Sequence, residues 1–363
     1  MRQALLLLPL LTACAQPYED LAKLDFSEVA YESEHVASDD AVIQAVDTAV
    51  TCPDGETARV FFAFRSTLEG PAPAALVLHS GAFDYIVEPD ETDPLAGIHY
   101  RADSRLTRQW GIAKVWETLG LSRFPVDPEE GSEGTLIATL VDAGVVVVLP
   151  SNCWGDQWHR ADVATGDSVD DLGPEGFLRQ GGAFAQTMMD AIYDPETAAD
   201  AGVRVPVEVN LDEVHLVGLG TGGRGVADLL HSPANQSRPL RSVVLDSTPD
   251  LVAPFLADRL QWGPEVAGLE TIHGAALSTW DAEGSIAALA AAGALPDRTA
   301  VLWSSLDTQV PVDAVLPTGL AVAGLSGGQV AVDVLKEGTV ASNRDHGLAA
   351  DTVLYMAEGA TAD

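Results

Sequence analysis

The most informative segment of this chain is Val214-His215-Leu216-Val217-Gly218-Leu219-Gly220-Thr221-Gly222-Gly223-Arg224-Gly225. Its first four residues form an apolar run interrupted only by His215, which predicts a strand buried on both faces of a sheet. The glycines that follow allow tight turns and a close approach of backbones, and residues 224–230 predict the next helix. The stretch therefore predicts a strand, a glycine turn and a helix in direct succession.

The rest of the chain repeats this alternation of strands and helices. Further strands are predicted at residues 58–64, 74–78, 144–149, 242–245, 300–303 and 330–335. Further helices are predicted at residues 107–119, 134–142, 177–192 and 348–356. Strands that alternate with helices favour a mostly parallel central sheet with right-handed crossovers. We therefore predict an α/β fold in which helices flank one sheet.

Residues 218–222 resemble the nucleophile elbow of the α/β-hydrolase family, Gly-x-Ser-x-Gly, in which a strand runs through a sharp turn into a helix. Gly218 and Gly222 match the flanking glycines, whereas Gly220 stands at the position of the serine. The resemblance implies an α/β-hydrolase-like sheet. Residues 251–296, which are rich in alanine and helical in pattern, are predicted to form a cap over its carboxyl edge.

Three other segments follow the order in which this family places its catalytic groups. Gly81 and Ala82 come after a predicted strand, so the resemblance makes them, with Thr221, donors of oxyanion-binding backbone N–H groups. Asp307 follows a later strand, where the family has its catalytic acid, and His346 follows the last strand, where the family has its histidine. The resemblance therefore implies that the acid and the histidine converge on the vacant nucleophile position.

The glycine at position 220 changes the chemistry that the resemblance implies. Without an Oγ atom there, His346 has no proton to accept and no acyl-enzyme can form. In a comparable protease, loss of the nucleophile lowers turnover by about 10⁶-fold. Glycine also relieves the strain of an elbow serine, which amounts to about 1–3 kcal/mol. We therefore predict a protein without ordinary serine-hydrolase activity that binds a small molecule, a glycan or a peptide in the former active-site cleft.

Two alternatives stay open. Thr221 would make the chain an ester or peptide hydrolase with an unconventional nucleophile, although the resemblance implies that its side chain would point away from the elbow direction. Gly218, Gly220 and Gly223 also fit the dinucleotide fingerprint Gly-x-Gly-x-x-Gly, but they follow several predicted strands instead of the first. Asp246, 23 residues after the last of these glycines, is close to the spacing of a ribose-binding acid. Asp246 is also a candidate to replace the acid of the predicted triad.

A tryptophan-rich loop follows the predicted strand at 144–149. Trp154, Asp156 and Trp158 lie there, near the mouth of the proposed cleft. Indole rings combine a large apolar face with one hydrogen-bond donor, so this loop is a candidate ligand-binding segment. The alternative is a loop that tryptophan packing holds in place. Asp156 and His159 lack a third ligand, so we predict no metal site, and no cofactor is predicted either.

The first residues predict export and lipid attachment. Arg2 precedes a short apolar run at residues 4–11, which is too short to span a bilayer and is typical of a signal peptide. Leu11-Thr12-Ala13-Cys14 resembles the bacterial lipobox, and Ala15 instead of Asp after the cysteine favours the outer membrane. An ordinary secretory signal with an incidental cysteine is the alternative. The predicted organisation is a signal peptide at 1–13, an acidic tether at 14–45 and one hydrolase-like domain at 46–363.

The charge balance limits the partners. The chain has 54 acidic residues against 19 lysines and arginines, a formal charge of −35. Such a surface repels nucleic acid and anionic lipid headgroups, so we predict no nucleic-acid partner and membrane attachment through the lipid on Cys14. Cys52 and Cys153 either form a disulfide, which export permits, or remain two buried thiols.

Overall fold

An eight-stranded sheet lies at the centre of the computed structural model, which describes residues 40–51, 57–78, 83–87, 98–102, 136–150, 185–251, 285–303, 312–332, 353–354 and 357. The strands of this sheet and of a separate hairpin are, in chain order, β1 (Ala41–Thr51), β2 (Thr57–Arg65), β3 (Ala72–Leu78), β4 (Phe83–Val87), β5 (Ile98–Ala102), β6 (Val146–Pro150), β7 (Val209–Leu219), β8 (Ser242–Asp246), β9 (Thr299–Trp303) and β10 (Gln329–Val332).

The strand order identifies the kind of sheet. Across the sheet the strands follow one another as β1-β2-β6-β3-β7-β8-β9-β10. β2 runs antiparallel to β1 and β6, and the other neighbouring pairs are parallel. With the β4–β5 hairpin set aside, the eight strands lie in the order 1-2-4-3-5-6-7-8 with the second reversed, which is the arrangement of the α/β-hydrolase sheet. The predicted fold class, α/β with a mostly parallel sheet flanked by helices, is confirmed.

Helices cover both faces of the sheet. Within the described ranges they are α1 (Leu136–Asp142), α2 (Ala185–Tyr193), α3 (Pro195–Ala199), α4 (Gly223–His231), α5 (Ile286–Ala291) and α6 (Val312–Ala323). Alternate residues of a strand face opposite sides. Leu76 therefore belongs to the same apolar cluster as Met188 of α2, whereas Val77 belongs to the other cluster with Leu140 of α1. Burial of both faces explains why the central strands are continuous apolar runs.

The central elements lie where the apolar pattern predicts them. β3, β8 and β9 match their predicted segments to within two residues at each end. β7 is longer than predicted and begins at Val209. α4 extends the predicted helix by one residue at each end. None of the helices in the described ranges is long and apolar enough to cross a membrane.

β1 corrects the predicted boundary between tether and domain. The strand begins at Ala41, inside the segment 14–45 that the sequence assigns to the tether. β1 lies at the edge of the sheet, paired with β2, and Val42 and Val46 pack only partly against the core. An edge strand whose side chains at 42, 44 and 46 are partly buried or exposed lacks the pattern that marks a fully buried strand, which is why the sequence pattern missed it.

The end of the predicted cap also needs correction, because residues 285–296 belong to a flanking layer. This stretch falls within the segment 251–296 that the sequence assigns to the cap. α5 nevertheless packs Ile286 and Leu289 into the same apolar cluster as Leu229 of α4. These side chains cover one face of the sheet instead of its carboxyl edge. The part of the segment after residue 251 and before 285 lies outside the described residues.

Candidate functional site

The glycine turn, residues 218–223, joins β7 to α4 in the middle of the sheet. β7 ends at Leu219, Gly220–Gly222 form a single 3-10 turn, and α4 begins at Gly223. β7 lies between β3 and β8, which both run parallel to it. The turn therefore lies at the carboxyl edge of the sheet, where open α/β sheets bind their ligands.

Gly220 adopts a backbone conformation that favours glycine. Its φ is +54°, in the left-handed region, where a residue with a Cβ atom costs about 1–2 kcal/mol. The residue is buried. The α/β-hydrolase elbow holds its serine in a strained strand-to-helix turn of this kind. In this chain glycine occupies the conformation without strain and without a nucleophilic atom.

Gly218 lets the strand and the helix approach each other closely. A Cβ atom at this position would lie 2.6 Å from Cα of Gly223 and 3.1 Å from Cγ2 of Val226. A clash with a backbone atom cannot be removed by turning a side chain, so this packing of β7 against α4 requires glycine at position 218.

Thr248 fills the space between β7 and α4 that Gly218 and Gly223 border, which we call the glycine notch. A Cβ atom on Gly223 would lie 2.8 Å from Cβ of Thr248. The Thr248 hydroxyl donates a hydrogen bond to the carbonyl oxygen of Gly218 at 3.3 Å. Because Thr248 follows β8, its side chain ties the end of that strand to the glycine turn.

This packing differs from the dinucleotide-binding alternative in two respects. The glycine turn follows the fifth of the eight sheet strands along the chain and not the first. The glycine notch is occupied by Thr248, and Asp246, the predicted ribose-binding residue, is buried. A pyrophosphate needs a close approach to the glycines of such a turn. The geometry therefore disfavours a dinucleotide site.

The end of β8 carries a second residue in the left-handed region. Leu219 of β7 pairs with Asp246 of β8, so Gly220 and Ser247 occupy the next position of the same register. Ser247 has φ +50°, the only positive value at a non-glycine residue among those the structure describes. Its backbone N–H donates to the carbonyl oxygen of Leu302 at 2.9 Å, and its hydroxyl donates to Oδ1 of Asp246 at 3.2 Å. Two adjacent strand ends thus share one unusual backbone geometry.

The sequence prediction missed Ser247 and Thr248 and named only Asp246 in this segment. With Asp250, these polar residues are at most 8% exposed. Polar side chains are rarely buried in a row without hydrogen bonds or a function. A run of Asp, Ser and Thr directly after a continuously apolar strand was the sequence signal that could have found them.

Asp250 is held in place by hydrogen bonds that link three parts of the chain. Its carboxylate accepts hydrogen bonds from the Ser285 hydroxyl at 2.9 Å, the Thr318 hydroxyl at 3.1 Å and the backbone N–H of Ala287 at 2.9 Å. These contacts join the segment after β8 to the start of α5 and to α6. In the part of the chain that the structure describes, no three His, Cys, Asp or Glu side chains gather in a way that could hold a metal ion.

Arg224 and Asp228 form an ion pair on α4, the helix that supports the glycine turn. The two side chains lie 2.8 Å apart, one helical turn from each other. Arg224 is buried, and burial raises the pKa of the Asp228 carboxyl although the Arg224 charge opposes that rise. Because a buried guanidinium needs a partner, this pair contributes to the order of α4 behind the turn.

Most of the other predicted site residues lie outside the described residues. They are Gly81, Ala82, Trp154, Asp156, Trp158, Asp307 and His346, together with Cys14, Cys52 and Cys153. Thr221 lies in the 3-10 turn. The approach of His346 to within about 10 Å of Gly220, beyond which a base cannot act, stays a prediction. The pairing of Cys52 with Cys153 also stays a prediction.

The strands that precede two of these predicted segments end near the glycine turn. Leu78, the last residue of β3, pairs with Gly218. Leu302 of β9, one residue before the end of that strand, pairs with Asp246. Because parallel strands have their carboxyl ends at one edge, the chain leaves both strands on the side of the sheet where Gly220 lies.

A serine–histidine contact is present where the pairing of β7 with β8 begins, at the end opposite the glycine turn. Nδ1 of His215 on β7 lies 2.8 Å from Oγ of Ser242 on β8, and both residues are fully buried. Burial, with a smaller effect of the Arg241 charge, lowers the pKa of His215 to about 4. Nε2 of His215 has no hydrogen-bond partner within the described residues. This pair packs inside the sheet and is separate from the glycine turn.

No protein-family model matches the chain, and no curated protein sequence matches it. Among solved structures, the chain is similar to prolyl oligopeptidase B from Galerina marginata, with 13% identity, a TM-score of 0.45 and coverage of 88% of this chain and 37% of that one. It is similar to Pyrococcus horikoshii acylaminoacyl peptidase, with 12% identity, a TM-score of 0.47 and coverage of 90% and 40%.

A further similar structure is a proposed dienelactone hydrolase from Klebsiella pneumoniae, with 13% identity, a TM-score of 0.42 and coverage of 87% of this chain and 99% of that one. The chain spans about two fifths of the length of the two peptidases. The strand order of the sheet carries the fold assignment.

Proposed function

We propose that this chain is an exported, lipid-anchored protein of α/β-hydrolase architecture that lacks ordinary serine-hydrolase activity. It binds a small molecule, a glycan or a peptide at the carboxyl edge of its sheet. The observation that supports this proposal is Gly220, which occupies the left-handed position between β7 and α4. A backbone that could hold an elbow nucleophile is present there, and the nucleophilic atom is absent.

The ligand-binding part of the proposal rests on the location of the glycine turn. Ligands of α/β sheets bind beyond the carboxyl ends of the strands. In this chain that edge carries the buried polar residues Asp246, Ser247 and Thr248 beside the glycine turn. Loss of the elbow serine removes the acyl-enzyme route but leaves such a binding cleft in place.

The test of the missing elbow chemistry uses the full chain in detergent. We expect that a serine-directed fluorophosphonate does not label any peptide containing residues 218–225, as located by mass spectrometry. Activated esters such as p-nitrophenyl acetate are expected to show no multiple turnover above the uncatalysed rate. Label on Thr221 that disappears in Thr221→Ala would contradict the proposal and support an unconventional nucleophile. The Gly220→Ser variant asks whether a restored Oγ atom is sufficient for labelling.

The anchor is tested separately, in a bacterial host given radiolabelled palmitate. We expect the wild-type chain to incorporate the label and to fractionate with the outer membrane, because the lipobox-like segment ends at Cys14. Cys14→Ser is expected to lose the label, whereas Cys52→Ser keeps it as a matched control. Unlabelled, soluble wild-type protein would contradict lipid anchoring without affecting the elbow test.

A further inference from the structure

Ser247 stands beside the vacant elbow position. The residues before them, Leu219 and Asp246, are register partners in neighbouring parallel strands, and both Gly220 and Ser247 have left-handed φ values, +54° and +50°. Gly220 adopts this conformation freely, whereas a serine there is strained. The end of β7 therefore leads into a relaxed glycine, Gly220, which has no hydroxyl. The end of β8 leads into a strained serine, Ser247, which has a hydroxyl.

Long-range contacts hold Ser247 in its strained conformation. Its backbone N–H is bound to the carbonyl oxygen of Leu302 at 2.9 Å on the far side of β8. Thr248, the next residue, is fixed in the glycine notch by its hydrogen bond to Gly218 and its packing against Gly223. Strain that the surroundings maintain in this way concentrates at functional sites. The strained hydroxyl of Ser247 is therefore a candidate reactive group.

Asp246 supplies a proton acceptor for this hydroxyl. Oγ of Ser247 donates its hydrogen bond to Oδ1 of Asp246 at 3.2 Å. Both side chains are buried, and a carboxylate within hydrogen-bond reach of a hydroxyl has the geometry required of a general base. A carboxylate is a weaker base than an imidazole, so proton transfer to it is slower than in a serine–histidine pair.

We propose that Ser247 is the acyl-accepting nucleophile of this cleft and that Asp246 is its base. Oγ of Ser247 bonds to the electrophilic carbon or phosphorus of an activated ester or phosphonate, and its proton passes to Oδ1 of Asp246. The bond to the leaving group breaks, and the leaving group takes this proton as it departs. The product is an ester on Ser247, and the burial of this residue restricts the reaction to small groups.

This inference uses the same cleft as the proposed function and goes beyond it. The proposed function states that the glycine turn has no nucleophile and that the chain does not turn over esters repeatedly. The inference concerns one covalent adduct on the neighbouring strand end. Because the Asp246 carboxylate is a weak base that activates water poorly, the adduct on Ser247 persists, and the chain reacts with its electrophile stoichiometrically.

The test incubates the full chain with a small ethyl fluorophosphonate and locates the adduct by peptide mass spectrometry. We expect one equivalent of label on Ser247 and at least about a tenfold loss in Ser247→Gly, a variant whose backbone tolerates the left-handed conformation. Asp246→Asn is expected to slow labelling about 100-fold while circular dichroism and the unfolding midpoint stay close to wild type. Ser242→Ala is the matched control, because Ser242 is a buried serine of the same strand, and it keeps wild-type labelling.

The outcomes separate this inference from the proposed function. A folded wild-type chain that takes no label overturns the role of Ser247 and leaves the proposed function standing. Label on Thr221 in place of Ser247 overturns both. Sustained turnover of p-nitrophenyl acetate that Ser247→Gly abolishes supports the nucleophile and overturns the absence of turnover. Equal labelling of wild type and Ser247→Gly overturns the inference whatever the rate.

Discussion

The two ends of the β7–β8 pair hold similar residue types in opposite circumstances. At the amino end, His215 and Ser242 lie 2.8 Å apart in regular strands, fully buried. At the carboxyl end, Gly220 and Ser247 follow the strands in left-handed conformations, beside a turn into a helix. Burial does not separate the two ends, because Ser247 is also fully buried. They differ in the backbone, which is regular at His215 and Ser242 and left-handed at Gly220 and Ser247. The strand end, where the backbone bends, is where a side chain can meet a ligand.

The two ends differ energetically in the strain of the backbone and in the cost of burying a charged group. The amino end has unstrained strands, but its buried imidazole stays neutral because burial opposes the charged form. The carboxyl end has no buried imidazole among the described residues, but its close packing depends on glycine at 218 and 223 and on strain at Ser247. Substitutions of packed glycines should therefore destabilise the carboxyl end, and acid should destabilise the amino end.

The largest effect is expected for Gly218→Ala. The new Cβ atom would lie 2.6 Å from Cα of Gly223, so β7 and α4 must separate, at a cost of about 3 kcal/mol of unfolding free energy. Urea unfolding followed by circular dichroism measures the loss. Gly70→Ala is the control for backbone strain without a clash: Gly70 has φ +78°, where alanine costs about 1–2 kcal/mol, but no atom lies within 4 Å of its would-be Cβ. A loss no larger than in this control would mean that the close approach at the glycine turn is not required.

Acid should act at the other end, through His215. Its pKa is about 4 in the folded protein against 6.5 for an imidazole in water, so the unfolded chain binds the proton first as the pH falls. The stability is complete above pH 6.5 and declines towards pH 4, by about 2 kcal/mol between pH 7 and pH 5. The difference between wild type and His215→Gln in unfolding free energy, measured at both pH values, isolates this contribution.

The control for the acid experiment is His231→Gln, because His231 is exposed at the end of α4. This variant should keep the wild-type dependence of stability on pH. If His215→Gln loses as much stability as wild type between pH 7 and pH 5, the buried imidazole is not the group that responds to acid, and the contrast between the two ends is weaker than the structure indicates.

The smallest expected changes in unfolding free energy come from substitutions at the two left-handed residues, and they are opposite in sign. Gly220→Ala should lower the unfolding free energy by about 1 kcal/mol, because alanine is strained at φ +54°. Ser247→Gly should raise it by about 1 kcal/mol, because glycine relieves strain at φ +50°. Thermal and urea unfolding of both variants measure these changes. A destabilised Ser247→Gly would show that the serine side chain contributes more through its hydrogen bonds than its backbone loses.

The pattern of apolar residues was sufficient to predict the centre of the fold and insufficient at its margins. β3, β8 and β9 are buried on both faces and appear in the sequence as unbroken apolar runs. Val42 and Val46 of β1 are only partly buried, and α6 contains Pro317, which removes a helical hydrogen-bond donor. Neither element has the regular periodicity from which it could have been predicted.

The candidate site also has one part that the sequence predicted and one part that it did not. The glycine turn follows a buried strand and precedes a helix, so local sequence was enough to locate the strand, the turn and the helix around Gly220. The conformation of Ser247 could not be predicted, because serine has no preference for positive φ. Its conformation arises from the hydrogen bond to Leu302 and from the packing of Thr248 against Gly223, and both partners come from other strands or helices.

Residue types and their local order were enough to predict that strands alternate with helices, that a strand, a glycine turn and a helix follow one another at residues 214–230, and that the chain is strongly acidic. These properties depend on residue type and on neighbours within a few positions. Three contacts became visible only in the folded chain: Thr248 fills the glycine notch, Ser247 stands beside Gly220, and His215 contacts Ser242. The physical reason is that these contacts join strands and helices distant in the chain, and their geometry exists only once β7, β8 and α4 are packed together.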